Sequence, residues 1–258
     1  MNSTADGDRG YFPLTSASRP SQFSRKALSF SPQRLRMPRA ALMPYLMGGY
    51  PDMATSLAIG EAYADGGADL VELGVPFSDP LADGPVIQAA GTVALDAGAT
   101  LAGVLDVGRQ LAAHVPVVVM CYANLVLARG PEDFARRLAE HDVSGLIVPD
   151  LPLEEAEGVL AACDAVGVAL VPLVAPTTPD ARLAAIGASA RGFVYTVSVV
   201  GTTGERGGSG GGAGAILERT KAHTDVPVAL GFGIATPAQA AAAAESGADG
   251  VIVGSRLV

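Results

Sequence analysis

Glu72-Leu73-Gly74-Val75-Pro76-Phe77-Ser78-Asp79-Pro80-Leu81, running on through Ala82-Asp83-Gly84-Pro85, is the stretch from which the fold is read. It opens as the end of a short apolar strand and turns into a loop stiffened by prolines, whose fixed φ lowers the entropy lost on ordering. Alternation along a strand carries Glu72 inward among apolar neighbours, while Asp79 and Asp83 fall on the loop beyond it. Two carboxyl groups held near one strand end in different surroundings can take different protonation states, and hence different roles.

Outward from this stretch the chain alternates between apolar runs and helical patterns. Strands are expected at 42–47, 70–73, 117–121, 145–148, 169–173, 193–197, 226–230 and 250–253, each apolar almost throughout, as suits parallel strands buried on both faces. Helices are expected at 53–64, 102–113, 131–140, 154–166, 179–188, 214–222 and 237–245. Asp52 is placed to cap the first, and Pro179 and Pro237 suit first-turn positions. Eight strands with seven helices between them, joined by right-handed crossovers, predict an α/β fold: a (β/α)8 TIM barrel that lacks its final helix. The competing arrangement is an open, doubly wound sheet. Without a last helix, apolar side chains over the first and eighth strands are expected to be exposed, each large one at a cost of about 1.5–3 kcal/mol.

The chain has 258 residues, 49% of them hydrophobic, enough for one large core. Residues 1–40 carry seven Arg or Lys against two Asp, whereas residues 41–258 carry ten against twenty-four, giving net charges of +5 and −14. The acidic body speaks against nucleic-acid binding. The first forty residues are rich in Ser, Pro and Arg without hydrophobic periodicity and read as a disordered extension, with residues 41–258 as the barrel domain. That composition has the flavour of an organelle transit peptide, but Asp6 and Asp8 stand against it and Met37 or Met43 offers a later start. No run approaches the roughly 20 uncharged apolar residues of a membrane helix. Cys121 and Cys163 fall inside core elements, so a reducing, cytoplasmic setting is expected.

In a TIM barrel the catalytic groups sit at the C-terminal ends of the strands. The only lysines are Lys26 and Lys221, neither at a strand end, so a Schiff-base mechanism is excluded. His114, His141 and His223 each precede a strand, on the opposite face, and no metal site is expected. Cys121 ends a strand, as a core residue or, with no histidine near, a poor nucleophile. What remains is carboxylate and glycine. Glycine-rich segments follow the sixth strand (Gly201-Thr202-Thr203-Gly204), the seventh (Gly231-Phe232-Gly233-Ile234) and the eighth (Gly254-Ser255). Their amides can hold an anion without lysine, and loops after strands seven and eight often hold phosphate in such barrels.

With Tyr122-Ala123-Asn124, Pro149-Asp150-Leu151-Pro152 and Gly192-Phe193-Val194-Tyr195 added, these motifs, in this order and spacing from about Ala41 onward, resemble the tryptophan synthase alpha chain family. The resemblance implies retro-aldol cleavage of indole-3-glycerol phosphate to indole and glyceraldehyde 3-phosphate. It implies Glu72 as the acid/base group and Asp83 as the acid that accepts a hydrogen bond from the indole N–H. Tyr45, Tyr195 and Thr203 match substrate-binding positions, although either tyrosine reads equally as a core aromatic. Gly204, Gly233, Gly254 and Ser255 match phosphate-binding positions. Asp79 has a plainer reading, as a cap for its own loop. The resemblance also implies a beta chain as partner in an alpha2beta2 assembly, with pyridoxal phosphate on that partner and no cofactor here. The segments expected to face it are 76–85, 124–130 and the loop after the sixth strand. Two other readings stand beside this one: a catalytically weak or inactive alpha-like subunit that activates a beta chain, and another phosphate-binding barrel enzyme.

Overall fold

The computed structural model describes residues 39–197, 211–231 and 233–258. Its strands are β1 (Ala41–Met47), β2 (Val71–Gly74), β3 (Val117–Met120), β4 (Gly145–Ile147), β5 (Ala169–Val171), β6 (Leu173–Val174), β7 (Val194–Val197), β8 (Val228–Gly231) and β9 (Gly250–Val253). The helices are α1 (Met53–Asp65), α2 (Pro85–Asp96), α3 (Leu101–Ala112), α4 (Ala123–Leu127), α5 (Pro131–Glu140), α6 (Glu157–Val166), α7 (Asp180–Ser189), α8 (Gly211–Lys221) and α9 (Pro237–Glu245).

All the strand pairings are parallel, and the strands lie in the order β5-β4-β3-β2-β1-β9-β8-β7-β6. Each strand therefore lies beside its sequence neighbours, and the first pairs with the last through Ala41–Pro44 against Gly250–Val253. This is the ring order of a barrel. A doubly wound sheet would reverse its order at a switch point, and no reversal occurs. The ring passes through residues 169–174, where the single fifth strand expected from the sequence is broken in two. Pro172 has no N–H to donate, so β5 pairs with β4 on one side and β6 with β7 on the other. The Pro172 carbonyl still accepts from the Tyr195 amide at 2.9 Å.

Most elements form where the pattern puts them, for local reasons. Asp52 caps α1, its Oδ1 accepting from the Thr55 amide at 2.8 Å. Thr236 and Gln239 close a reciprocal capping box on α9, with Pro237 in its first turn. Four readings need correction, the first being the short helix α4, Ala123–Leu127, where no helix is expected from the sequence. Helix α2 was not expected, although Pro85 stands at its first turn after Gly84; its Ala- and Gly-rich run carries a weak helical period. The helix expected at 154–166 opens instead as a 3-10 turn, Leu153–Glu155, before α6. Pro179 lies one residue outside α7, as its N-cap.

The barrel interior is filled by Met43, Leu70, Val118, Ile147, Val171, Phe193 and Ile252, among others, while separate apolar layers join the strands to the helices. A smaller cluster packs Ile87, Ala90 and Ala94 of α2 against Tyr45 and Met47 at the upper end of β1. Helix α2 thus leans over the barrel mouth and brings the loop before it, with Asp83, across the end of β2. No helix follows β9 within the described residues, and Leu42 of β1 is 38% exposed.

Candidate active site

A cleft of about 720 Å3, counting the part open to solvent, lies at the C-terminal ends of the strands. Its walls include Tyr45, Glu72, Asp83, Ile87, Met120, Leu173, Tyr195, Gly233, Ile234, Gly254, Ser255 and Arg256. Seven of the sequence-derived site residues therefore come together: Glu72, Asp83, Tyr45, Tyr195, Gly233, Gly254 and Ser255. Thr203 and Gly204 lie outside the described residues. Asp79 does not line the cleft; its Oδ2 accepts from its neighbour Ser78 at 2.6 Å, in keeping with a role local to the loop.

Glu72 sits in β2, in register with Tyr45 of β1 and Val118 of β3, and only 2% of it is exposed. Its Oε2 is buried with no hydrogen-bond partner. A buried carboxylate oxygen without a partner is costly when charged, so the proton stays: burial, reinforced by the nearby charge of Asp83, pushes the Glu72 pKa up to about 8. Asp83 is also buried, but less hostile surroundings leave it lower. Burial raises its pKa to about 6, while a hydrogen bond from the Tyr122 hydroxyl holds it down. The two acids titrate as a coupled pair, the proton leaving Asp83 first and the one on Glu72 then held more tightly.

Tyr122 was quoted in the sequence only as part of a motif, and it proves to be the post on which the Asp83 loop hangs. Its hydroxyl donates to Asp83 and accepts from the Ala82 amide at 3.0 Å, while its ring stacks on Phe77 with centroids 5.3 Å apart and planes 25° off parallel. Gln88 of α2 completes the brace, its Nε2 donating to the Asp83 carbonyl at 2.9 Å. Nothing in the spacing of Tyr122 announced this; the signal was only its place just past the end of β3.

Tyr45, beside Glu72 in the sheet, and Tyr195 of β7 line the same cleft, each tucked over a glycine. A Cβ at Gly74 would collide with the Tyr45 hydroxyl, and one at Gly231 with the Tyr195 hydroxyl. Glycine at these two strand ends is what leaves room for the phenols. Tyr195 is the second residue of β7, so it reaches the cleft from deeper in the barrel. Burial, and then the two acids, hold both phenols well above their usual pKa, so each remains a neutral donor. Gly233 has φ of +80°, which a residue with a side chain adopts only under strain, and open space surrounds it.

Cys121 is fully buried and its thiol is pushed far up by that burial, which fits a core residue and not a nucleophile. His114, His141 and His223 lie before β3, β4 and β8, at the opposite end of the barrel. Among the described residues no group of His, Cys, Asp and Glu comes together as metal ligands.

The family model for "Tryptophan synthase alpha chain" matches residues 33–258. A tryptophan synthase alpha chain from Prochlorococcus marinus is 49% identical over 222 residues, covering 85% of this chain and 81% of the relative. One from Methanosarcina acetivorans is 47% identical over 218 residues, covering 84% and 79%. Among solved structures, a Mycobacterium tuberculosis tryptophan synthase chain superposes with a TM-score of 0.79 at 44% identity, covering 84% of each chain. A chain of the Pyrococcus furiosus tryptophan synthase a2b2 complex, described in terms of mutual activation, gives 0.79 at 37% identity over 84% of this chain and 88% of that one. By the match over residues 33–258 and by these relatives, this chain belongs to the tryptophan synthase alpha chain family.

Proposed function

We propose that the chain cleaves indole-3-glycerol phosphate to indole and glyceraldehyde 3-phosphate, acting as the alpha subunit of a tryptophan synthase. The observation that carries this is the pairing of a buried, protonated Glu72, one oxygen unpartnered, with an Asp83 that ionises at lower pH in the same cleft.

Near neutral pH most Glu72 is protonated and most Asp83 ionised, which is the division that the reaction needs. Glu72 gives its proton to indole C3, turning the ring into an electron sink. The positive charge then developing on the ring nitrogen is met by the Asp83 carboxylate, which accepts the N–H hydrogen bond more strongly as the charge grows. Glu72, now a carboxylate, takes the proton from the glycerol hydroxyl next to the ring. The bond between C3 and that carbon breaks, its electron pair returns to the ring, and the aldehyde forms; Glu72 ends protonated, as it began. Tyr45, Tyr195, Ile87 and Leu173 enclose the ring, Gly233, Gly254 and Ser255 take the phosphate, and Thr203 and Gly204 are proposed to join them from the loop after β7.

The barrel of residues 41–258 is proposed as the catalytic domain, cytoplasmic, with residues 1–40 as an extension outside it. The partner proposed is a beta chain carrying pyridoxal phosphate, docked on the rim where Leu81 and Leu127 are 79% and 57% exposed. Direct support for chemistry over a merely activating role is that both acids are present and share one cleft. The test is indole release from indole-3-glycerol phosphate by the chain alone and with a tryptophan synthase beta chain. Release that is raised by the partner supports the reading. A chain inert in both conditions overturns it, and if that inert chain still stimulates the beta reaction it is an activating subunit.

A further inference from the structure

Arg256 differs from the other charged residues of the cleft. The described residues that line it include two acids, Glu72 and Asp83, and one cation, Arg256. It follows Gly254 and Ser255 directly, in a turn closed by the Leu257 amide donating to the Gly254 carbonyl at 2.8 Å, so all three stay together on one edge of the rim. Arg39, Arg182, Arg191 and Arg219 are each locked to a carboxylate, whereas no described carboxylate pairs with Arg256. A guanidinium with no described carboxylate partner, on the wall of a cleft that also holds two acidic groups in a chain of net charge −9, offers an anionic substrate an opposite charge.

We infer that Arg256 is a substrate-binding residue that grips the phosphate of the substrate at the Gly254–Ser255 edge. The inference rests on the phosphate-binding reading of that rim and adds to it a charged, forked donor where amides and a hydroxyl alone were expected. A guanidinium meets two phosphate oxygens at once, and a charge-assisted pair outlasts a neutral one. It also fixes polarity, holding the phosphate at the rim and so sending the indole ring inward toward Glu72. Because the phosphate does not change during the reaction, this contact is equally strong in ground and transition states and acts on KM rather than kcat.

The test compares wild type, Arg256→Ala and Arg256→Lys by calorimetric titration with two ligands, indole-3-propanol phosphate and the phosphate-free indole-3-propanol, beside steady-state cleavage. The expected result is an affinity for the phosphate ester about tenfold lower in Arg256→Ala, with binding of the alcohol unchanged. KM rises by the same factor, kcat holds within about twofold, and the Lys variant recovers part of the loss. A variant that loses both ligands alike would show a general structural role and overturn the inference. No loss of the ester, while wild type still prefers ester to alcohol, would overturn the role of Arg256 and leave the rim standing. Wild type binding the two ligands equally would overturn the rim itself and the inference with it.

Discussion

Replacing Glu72 by Gln is expected to stabilise the folded chain, and by an amount that grows with pH. In the unfolded chain the carboxyl ionises at its ordinary value of 4.5; in the folded chain it waits until about 8. A group whose folded pKa is raised favours folding below the unfolded value, and that contribution is lost as pH climbs through the folded one, because the native state holds the extra proton. Each pH unit in that interval costs wild type about 1.4 kcal/mol, so the whole interval amounts to about 5 kcal/mol, comparable to the total stability of many domains. Glu72 is only 2% exposed, so solvent does little to screen this cost. Gln keeps the shape and cannot ionise. Asp83 carries a smaller penalty of the same sign, from 3.8 to about 6, in both proteins, so the difference between them isolates Glu72. Urea unfolding of both proteins at about pH 5.5 and about pH 8.5 measures it, and the advantage of Glu72→Gln should widen by about 3 kcal/mol between those two pH values. An advantage that stays constant would refute the claim that Glu72 is held protonated by burial.

The same two acids predict a bell-shaped dependence of kcat/KM on pH for the free enzyme, with limbs near 6 and 8, the first from ionisation of Asp83 and the second from deprotonation of Glu72. Tyr122→Phe removes the hydrogen bond that holds the Asp83 pKa down, so the acidic limb should move to higher pH; a limb that stays in place contradicts the role given to Tyr122. Gly74→Ala drives a methyl group into the Tyr45 hydroxyl and should cost about 1–3 kcal/mol in a denaturation experiment, with part of the loss restored by Tyr45→Phe in the double variant.

Much of the barrel could be read from the sequence because its strands are buried on both faces, and runs such as Val117-Val118-Val119 leave no other reading. Where local signals conflict, the reading fails. Pro172 splits an apolar run that otherwise looks like one strand, and α2 hides in a run of small residues whose helical period is weak although Pro85 marks its start. At the site, the carboxyl groups and the glycine rim are visible because lysine and histidine are scarce in this chain, which leaves carboxylate and glycine at the strand ends. Tyr122, Gly74 and Gly231 are not visible, because their roles are contacts across strands: a hydroxyl reaching Asp83 from β3's far end, and two missing Cβ atoms that leave room for phenols from neighbouring strands. Arg256 escapes for a different reason. A lone arginine after a Gly-Ser pair looks like any surface charge until the fold sets it on the wall of the cleft, where no described carboxylate pairs with it.

The central claim, that Glu72 moves the proton on which carbon–carbon cleavage depends, is tested most directly by steady-state indole release from indole-3-glycerol phosphate by wild type and Glu72→Gln. The prediction is a kcat lower by about 10²–10⁴ in the variant, with KM changed only a few-fold, since the neutral amide keeps the shape of the protonated acid but cannot transfer its proton. A variant that keeps kcat within about tenfold of wild type would contradict the account and move the proton transfer to another group.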